Sequence, residues 1–266
     1  MFFIYLILGI IQGFTEPIPI SSSGHLIIFK HLFNISNIND LNFEIFSNFG
    51  SFLAITILFK KDILKLLNDT LSYLKTKKLK YYSNAKYVLL IIIGTIPAGL
   101  LGILLNNIIE KNLTNIKYIG LALIITAIFL YIIRKKTGKK EDHEITIKDA
   151  LKIGCFQAIA IFPGISRSGA TIVGGMLSNL KRETAFKFSF MLYIPITIAT
   201  LFLSLKDIIS GKIDTNLFIY YISGTIISAI TTYITTKWFK NIMINGKLIY
   251  FVYYCLLAGT IVILFL

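Results

Sequence analysis

Gln12-Gly13-Phe14-Thr15-Glu16-Pro17-Ile18-Pro19-Ile20-Ser21-Ser22-Ser23-Gly24-His25 puts an amide, a carboxylate, hydroxyls and an imidazole into a chain that is otherwise apolar. An echo lies 145 positions further on, at 157–170, which contains Pro163-Gly164-Ile165-Ser166-Arg167-Ser168-Gly169. Over 9–25 the pairs Gly9/Gly154, Gln12/Gln157, Ile20/Ile165, Ser21/Ser166, Ser23/Ser168 and Gly24/Gly169 are identical. Six matches in these seventeen positions compare with roughly one or two from composition alone. Most are polar residues or glycines, the types scarce in these segments, so the two stretches read as copies of one polar hairpin.

The surroundings are built for lipid. Hydrophobic residues make up 55% of the 266 and charged residues 15%, with a mean hydropathy of +0.75, outside the range of ordinary soluble domains. The formal charge of +14 does not point to nucleic acid. The basic residues sit in loops between apolar runs, as positive-inside topology requires, and form no stripe interleaved with aromatics. The 14 Tyr and 21 Phe read as interfacial belts and lipid-facing packing. Cys155 and Cys255 have no metal-ligand spacing and read as buried free thiols. The first eleven residues lack a charged leader region and a cleavage site, so they are not a removable signal peptide.

Crossing a bilayer core takes about 20 apolar helical residues. The run 1–15 is shorter and meets Pro17, which disfavours α geometry at Glu16. With the short run 26–29 it reads as a re-entrant hairpin. Spans are expected at 43–59, 87–105, 118–133, 186–205, 217–236 and 248–266, the second broken at Gly94-Thr95-Ile96-Pro97. The segment 60–86 reads as a loop, with eight lysines against Asp62 and Asp69, hence cytoplasmic. Arg134, Lys135, Lys136, Lys139 and Lys140 mark a second cytoplasmic loop, and Lys237, Lys240 and Lys247 a third. The loops around Glu110–Lys111 and at 206–214 are nearly balanced. A second hairpin occupies 148–182. The fold class is therefore an all-α polytopic membrane protein in one integral membrane domain. Each half, 1–134 and 148–266 about a cytoplasmic linker at 134–148, is one re-entrant helix hairpin plus three transmembrane helices. Three spans per half invert the second relative to the first, the inverted-repeat plan in which sites lie near the midplane.

The chemistry gathers at the hairpin tips. Gln12 and Glu16 lie four apart, on one helical face. Ser21 is placed to cap a following helix, leaving the N–H groups of Ser22, Ser23 and Gly24 to receive an anion. The second hairpin repeats the device with Gly164, Ser166, Ser168 and Gly169 and adds Arg167. Two helix N-termini, several hydroxyls and a guanidinium make a phosphate site. Glu16 would repel that phosphate unless it holds a proton or a metal. His25 can act as acid, base or nucleophile, and it lies three positions after Ser22, close enough on a helix for a base to serve a hydroxyl. Taken singly, Gln12, Ser23, Ser168 and Thr171 read more simply as hydrogen-bonding groups within their helices. Arg167 does not, because an arginine at the bilayer centre costs from roughly 2.5 to more than 10 kcal/mol. Lys30 and Glu44 read as interfacial, and His31 as a surface residue.

These residues resemble a family, the undecaprenyl-diphosphate phosphatases of bacteria associated with bacitracin resistance. Its first signature is matched by Gln12 to Glu16 with Ser21-Ser22-Ser23-Gly24-His25, and its second by Pro163-Gly164-Ile165-Ser166-Arg167-Ser168-Gly169-Ala170-Thr171. Phe43-Glu44 and Gly94-Thr95-Ile96-Pro97-Ala98-Gly99 extend the likeness over the whole chain. Departures are Gln12 for a glutamate, Asn48-Phe49 where a glutamine is expected, and Tyr254 in a region often carrying Tyr-Arg. The resemblance implies hydrolysis of the C55 polyprenyl diphosphate to monophosphate and inorganic phosphate, supplying carrier lipid for peptidoglycan synthesis. It implies a multi-pass protein of the bacterial inner membrane, with its site opening outward. It also implies a divalent cation, Mg²⁺ or Ca²⁺, with Glu16 as a metal ligand or as the group orienting His25. The catalytic set is then Glu16, Ser22, His25 and Arg167, with Ser22 as nucleophile and His25 as its base, or His25 itself as nucleophile or base for water. Phosphate contacts come from Gln12, Ser21, Ser23, Gly24, Gly164, Ser166, Ser168, Gly169 and Thr171. A carrier moving polyprenyl phosphate is the rival reading. A homo-oligomer stays open.

Overall fold

The structure is a computed structural model. It describes the backbone of residues 1–33, 35, 41–112, 115–210 and 215–266, and the side chains of all of these but 41, 106–112, 203–210, 215 and 216. The balanced loops expected around Glu110–Lys111 and at 206–214 are corrected in part: helix continues through Asn112 and through Ser210, and 113–114 and 211–214 lie outside the described residues. Apart from one isolated bridge between Lys140 and Leu180, the described residues form helices and turns. The helices are α1 (Phe2–Thr15), α2 (Ser22–Leu32), α3 (Leu41–Leu58), α4 (Lys60–Thr76), α5 (Tyr82–Asn112), α6 (Ile116–Ile133), α7 (Ile147–Ile159), α8 (Arg167–Leu177), α9 (Arg182–Ser210), α10 (Thr215–Ile244) and α11 (Ile249–Phe265).

Four helices are long and apolar enough to cross a membrane by length and composition, α5, α6, α9 and α10, and the α3–α4 pair makes a fifth if it is one broken span. At 17 residues α11 sits at the short end of the spanning range. Their outer faces carry exposed leucine, isoleucine and phenylalanine, Leu100, Ile103, Leu104, Ile226, Ile234 and Leu257 among them. Water would not tolerate so much apolar surface, and lipid requires it. The chain is a multi-pass helical membrane protein.

Three further sequence readings are corrected. The segment 60–86 is largely helical: α4 leaves α3 at an angle of 72°, and a 3₁₀ turn at Leu79–Tyr81 leads into α5. Ile63 and Leu66 face the protein while Leu64, Leu67, Leu71 and Leu74 form an exposed stripe, an amphipathic pattern that the lysines had masked. The run Gly94-Thr95-Ile96-Pro97 does not break α5, which passes through Pro97. In a membrane helix, neighbouring helices and side chains re-satisfy the backbone groups a proline frees. Cys255 is buried, as expected, but Cys155 is exposed. His31 is at the surface, and Lys30 pairs with Glu44 at 2.6 Å, tying α2 to α3.

Packing is interleaved. Helix α1 lies along α10 and α7 along α5, while α6 pairs with α11 and α3 with α10. Glycines set the closest approaches: a Cβ on Gly9 would meet the Gly224 backbone, and one on Gly154 would meet the Gly94 carbonyl. Hydroxyls bind α3 to α10, with Ser51 Oγ 3.0 Å from Ser228 Oγ and 2.8 Å from Thr232 Oγ1. Gly154→Ala is expected to overpack this contact and cost about 1–3 kcal/mol. Gly102, with open space around it, should accept alanine without loss. Thermal unfolding of the two purified variants checks this, and equal midpoints would mean that α5 and α7 do not sit so close.

The basic segments converge on one end of the bundle. Lys187 bridges Asp62 of α4 and Asp142 of the 134–146 segment, each at 3.0 Å. Arg182 donates to the Lys136 and Ile244 carbonyls, and Lys86 to that of His143. Hairpin α7–α8 opens at this end, where Lys152 donates to the Leu177 carbonyl. Hairpin α1–α2 opens at the other, where Tyr5 packs on Tyr221 near the start of α10.

Candidate active site

The two hairpin tips meet inside the bundle. After α1 the chain turns through Pro17 and Pro19, and Ser21 starts α2 by accepting from Gly24 N–H at 3.3 Å. Ser166 starts α8 in the same way, accepting from Gly169 N–H at 3.1 Å. Ser21 does this with φ at +71°, a left-handed backbone that a non-glycine residue adopts only under constraint. The Gly24 and Gly169 N–H groups are thus used by the caps and are not left for an anion. These glycines serve close approach instead. A Cβ on Gly24 would press on Gly164 Cα, and one on Gly169 on Pro19 Cβ, each at 3.1 Å. Gly164 itself turns with φ +91° against α6.

Between the tips lies a small polar cavity lined by Glu16, Ser21, Ser22, Ser23, Ala160, Ile165, Ser166, Arg167 and Ser168. Its floor is an ion pair between copies: Arg167 Nη2 donates to Glu16 Oε1. Glu16 Oε2 accepts from Ser22 Oγ at 2.5 Å and from Gln12 Nε2 at 2.9 Å. Ser21 and Ser23 face each other at 3.4 Å and Ser166 and Ser168 at 3.2 Å, with Ser168 also donating to the Ile18 carbonyl. Seven of the predicted site residues, Glu16, Ser21, Ser22, Ser23, Ser166, Arg167 and Ser168, therefore line one space. Gln12 stands behind Glu16. Thr171 lies away from the cavity, bonded to the Arg167 carbonyl and to Ser189 Oγ at 2.6 Å.

His25 is not among the lining residues. Its Nδ1 is 2.7 Å from the Ser21 carbonyl and its Nε2 is 2.7 Å from Tyr254 Oη. A carbonyl only accepts, so Nδ1 carries the proton; in the neutral ring Nε2 then accepts from the tyrosine hydroxyl. The expected Ser22–His25 contact is absent, because Ser22 bonds Glu16 and the imidazole lone pair is held by Tyr254. Three residues were missed from sequence. Tyr254 stacks on His25, Tyr193 lies under Arg167 with the guanidinium carbon 3.7 Å from the ring centroid, and Asn48 accepts from the Tyr193 hydroxyl at 2.9 Å. The only signal was that Asn48 and Tyr254 depart from the family pattern.

A metal held by protein side chains alone does not fit here. Among the described residues no group of three or more His, Cys, Asp or Glu could hold an ion. Glu16 is the single carboxylate at the cavity, and its two oxygens already receive a guanidinium, a hydroxyl and an amide. Magnesium is bound through one or two carboxylates together with waters and substrate phosphates, so a cation here would be held jointly with the diphosphate.

What remains is a half-buried cation and a ring of hydroxyls, suited to a phosphate group, beside a serine hydrogen-bonded to a carboxylate. Comparison with known proteins agrees. The family model "Bacitracin resistance protein BacA" matches residues 5–261. A Bacillus thuringiensis protein named "Undecaprenyl-diphosphatase 2" is 45% identical over 262 residues, covering 98% of this chain and 97% of its own. "Undecaprenyl-diphosphatase 1" of Bacillus licheniformis is 43% identical, again over 98% and 97%, and "Undecaprenyl-diphosphatase" of Oceanobacillus iheyensis 41% over 98% and 96%. With both signatures at the tips and likeness over almost its full length, the chain belongs to the bacitracin resistance protein BacA family.

Proposed function

We propose that this chain hydrolyses undecaprenyl diphosphate to undecaprenyl phosphate and inorganic phosphate, returning carrier lipid to cell-wall synthesis, a reaction that also counters bacitracin. The observation that carries the reading is Arg167 paired with Glu16 in a serine-lined cavity inside an apolar bundle. A structural ion pair needs no serine-lined cavity beside it, whereas a terminal phosphate needs both the cation and the hydroxyls.

The diphosphate displaces Glu16 from Arg167, which then neutralises charge on the phosphoryl group in transfer. Ser22 Oγ attacks the terminal phosphorus, its proton passes to the Glu16 carboxylate it already touches, and the bond from phosphorus to the bridging oxygen breaks to release the lipid monophosphate. Water then attacks the phosphoserine, the bond from phosphorus to Ser22 Oγ breaks, and Glu16 returns its proton to Oγ as inorganic phosphate leaves. His25 serves this second step as proton acceptor, once Tyr254 has yielded Nε2. Ser21, Ser23, Ser166 and Ser168 hold the phosphate oxygens. A divalent cation enters this reading as a companion of the diphosphate, not held by the protein alone.

The halves are read as an inverted repeat. Support comes from Gly9 and Gly154, equivalent by the offset of 145, which each seat a hairpin helix against a long helix of the other half, and from hairpins that open at opposite ends. The lysine-bearing end faces the cytoplasm by the positive-inside rule, so hairpin α1–α2 is entered from the outer side of the inner membrane.

Purified protein in detergent, given farnesyl diphosphate or the C55 lipid, is expected to release phosphate without any gradient, which a carrier would not do. Release that stops with EDTA and returns with Mg²⁺ supports the cation proposal. Folded protein that binds substrate and releases nothing overturns the phosphatase reading.

A further inference from the structure

We infer that Tyr193 is a positioning residue for phosphate capture: its ring holds the Arg167 guanidinium in place when the arginine exchanges Glu16 for the substrate. The inference rests on the phosphatase reading of the cavity. Arg167 has two supports, the Glu16 carboxylate and the Tyr193 ring, whose centroid lies 3.7 Å from the guanidinium carbon. The first is lost as soon as phosphate takes its place, because one guanidinium edge cannot serve both anions. A flexible arginine released from its ion pair would search many rotamers. A ring lying against the guanidinium restrains it and leaves N–H groups for the phosphate.

Tyr193 is well anchored for this task. It is 2% exposed, and its hydroxyl donates to Asn48 Oδ1 at 2.9 Å. One turn earlier on α9, Ser189 bonds Thr171 at 2.6 Å, one turn after Arg167 on α8. The two rungs, Ser189 to Thr171 and Tyr193 to Arg167, lock the register of α9 on α8. The offset of 145 that aligns the hairpins also carries residue 48 onto residue 193. Asn48 and Tyr193 are thus equivalent positions that meet where the halves cross, and only one of the pair carries a ring. The copy that supplies the arginine also supplies its platform. The other copy supplies Glu16 and Ser22, and at the matching position an amide that fixes the platform's hydroxyl.

A cation–π contact is worth about 0.5–1 kcal/mol when exposed and about 2 or more when desolvated. Tyr193→Met, which fills much of the ring's volume with an aliphatic chain, is therefore expected to lower kcat/KM about fivefold to thirtyfold, mainly through KM. Tyr193→Phe, which keeps the ring and loses the Asn48 bond, should stay within about threefold of the parent. The measurement is phosphate release by the full chain in detergent across substrate concentrations, with thermal midpoints alongside. An unfolded fraction lowers kcat and leaves KM unchanged, so the KM shift separates positioning from stability. Should Tyr193→Met not fold, Tyr193→Leu gives the same readout, and if neither aliphatic variant folds, a rise in KM for Tyr193→Phe alone still overturns the stacking role. Unchanged kinetics in a folded aliphatic variant, beside an inactive Arg167→Ala, overturns the inference and spares the site. A fully active Arg167→Ala instead overturns the reading of the site.

Discussion

Arg167→Ala is expected to reduce phosphate release by at least about 10²- to 10³-fold while the protein remains folded. The lower bound is what removal of one preorganised donor to a developing negative charge costs in other enzymes. Here the lost group also carries the full positive charge facing the serine-lined cavity. Its second partner, Glu16, sets the control. Removing the arginine leaves a carboxylate that is 8% exposed without its counter-ion, and an uncompensated buried charge can cost about 3–5 kcal/mol. The double variant Glu16→Gln with Arg167→Ala removes both charges. If the single variant unfolds, the double should regain a normal thermal midpoint and stay inactive. Arg167→Lys tests shape against charge, because a lysine ammonium can neither stack on Tyr193 nor offer a fork to two phosphate oxygens. It is expected to recover no more than a few per cent of activity. Near-normal turnover in a folded Arg167→Ala protein would remove the basis for reading this cavity as a phosphate site.

Much of this architecture is written in local pattern. Apolar runs near 20 residues, lysine-rich ends and the repeat at an offset of 145 are enough to expect six spans and two hairpins, and Ser21 and Ser166 announce the helix starts they cap. Helix α4 escaped because eight lysines dominate 60–86, although Leu64, Leu67, Leu71 and Leu74 already recur at helical spacing. Pro97 was over-read: a proline signals a break where water competes for the freed backbone groups, a weaker signal inside a membrane bundle. At the site, the carboxylate, serines and arginine were legible because such groups are costly in lipid and need a reason to be there. Tyr193 and Tyr254 were not. A tyrosine among 14, in an apolar run, carries no mark of the side chain it will stack on, and its partner lies 26 residues away for Tyr193 and 229 for Tyr254. The pairing of Ser22 with Glu16 in place of His25 was equally hidden. Helical spacing brings 22 and 25 to one face, but the turn through Pro17 and Pro19 folds residue 16 back onto residue 22, and no periodicity describes that turn.

Ser22, Glu16 and His25 should therefore separate by step and not only by size of effect. Ser22→Ala removes the attacking oxygen, and turnover is expected to fall by about 10³-fold or more, with no phosphorylated protein formed. Glu16→Gln keeps a side chain that can still accept the serine hydrogen bond but cannot take its proton. A loss of about 10²- to 10⁴-fold is expected, the range for a general base. His25→Ala leaves both of these groups in contact and removes only the imidazole, whose lone pair is engaged by Tyr254 in the substrate-free chain. The first transfer should then proceed and the second stall, so that radiolabelled diphosphate leaves label on Ser22 while steady turnover drops. A rapid quench followed by gel separation and peptide mapping reads this directly. If Ser22→Ala keeps most of its activity and His25→Ala does not, the serine scheme is wrong. The imidazole would then have to break from Tyr254 and act alone, and label trapped on His25 would identify it as the nucleophile, while absence of any label would leave it as the base for water. The ordering follows from the hydrogen bonds. In the proposed scheme the hydroxyl with an acceptor already in place reacts first, and the base whose nitrogen is occupied acts later.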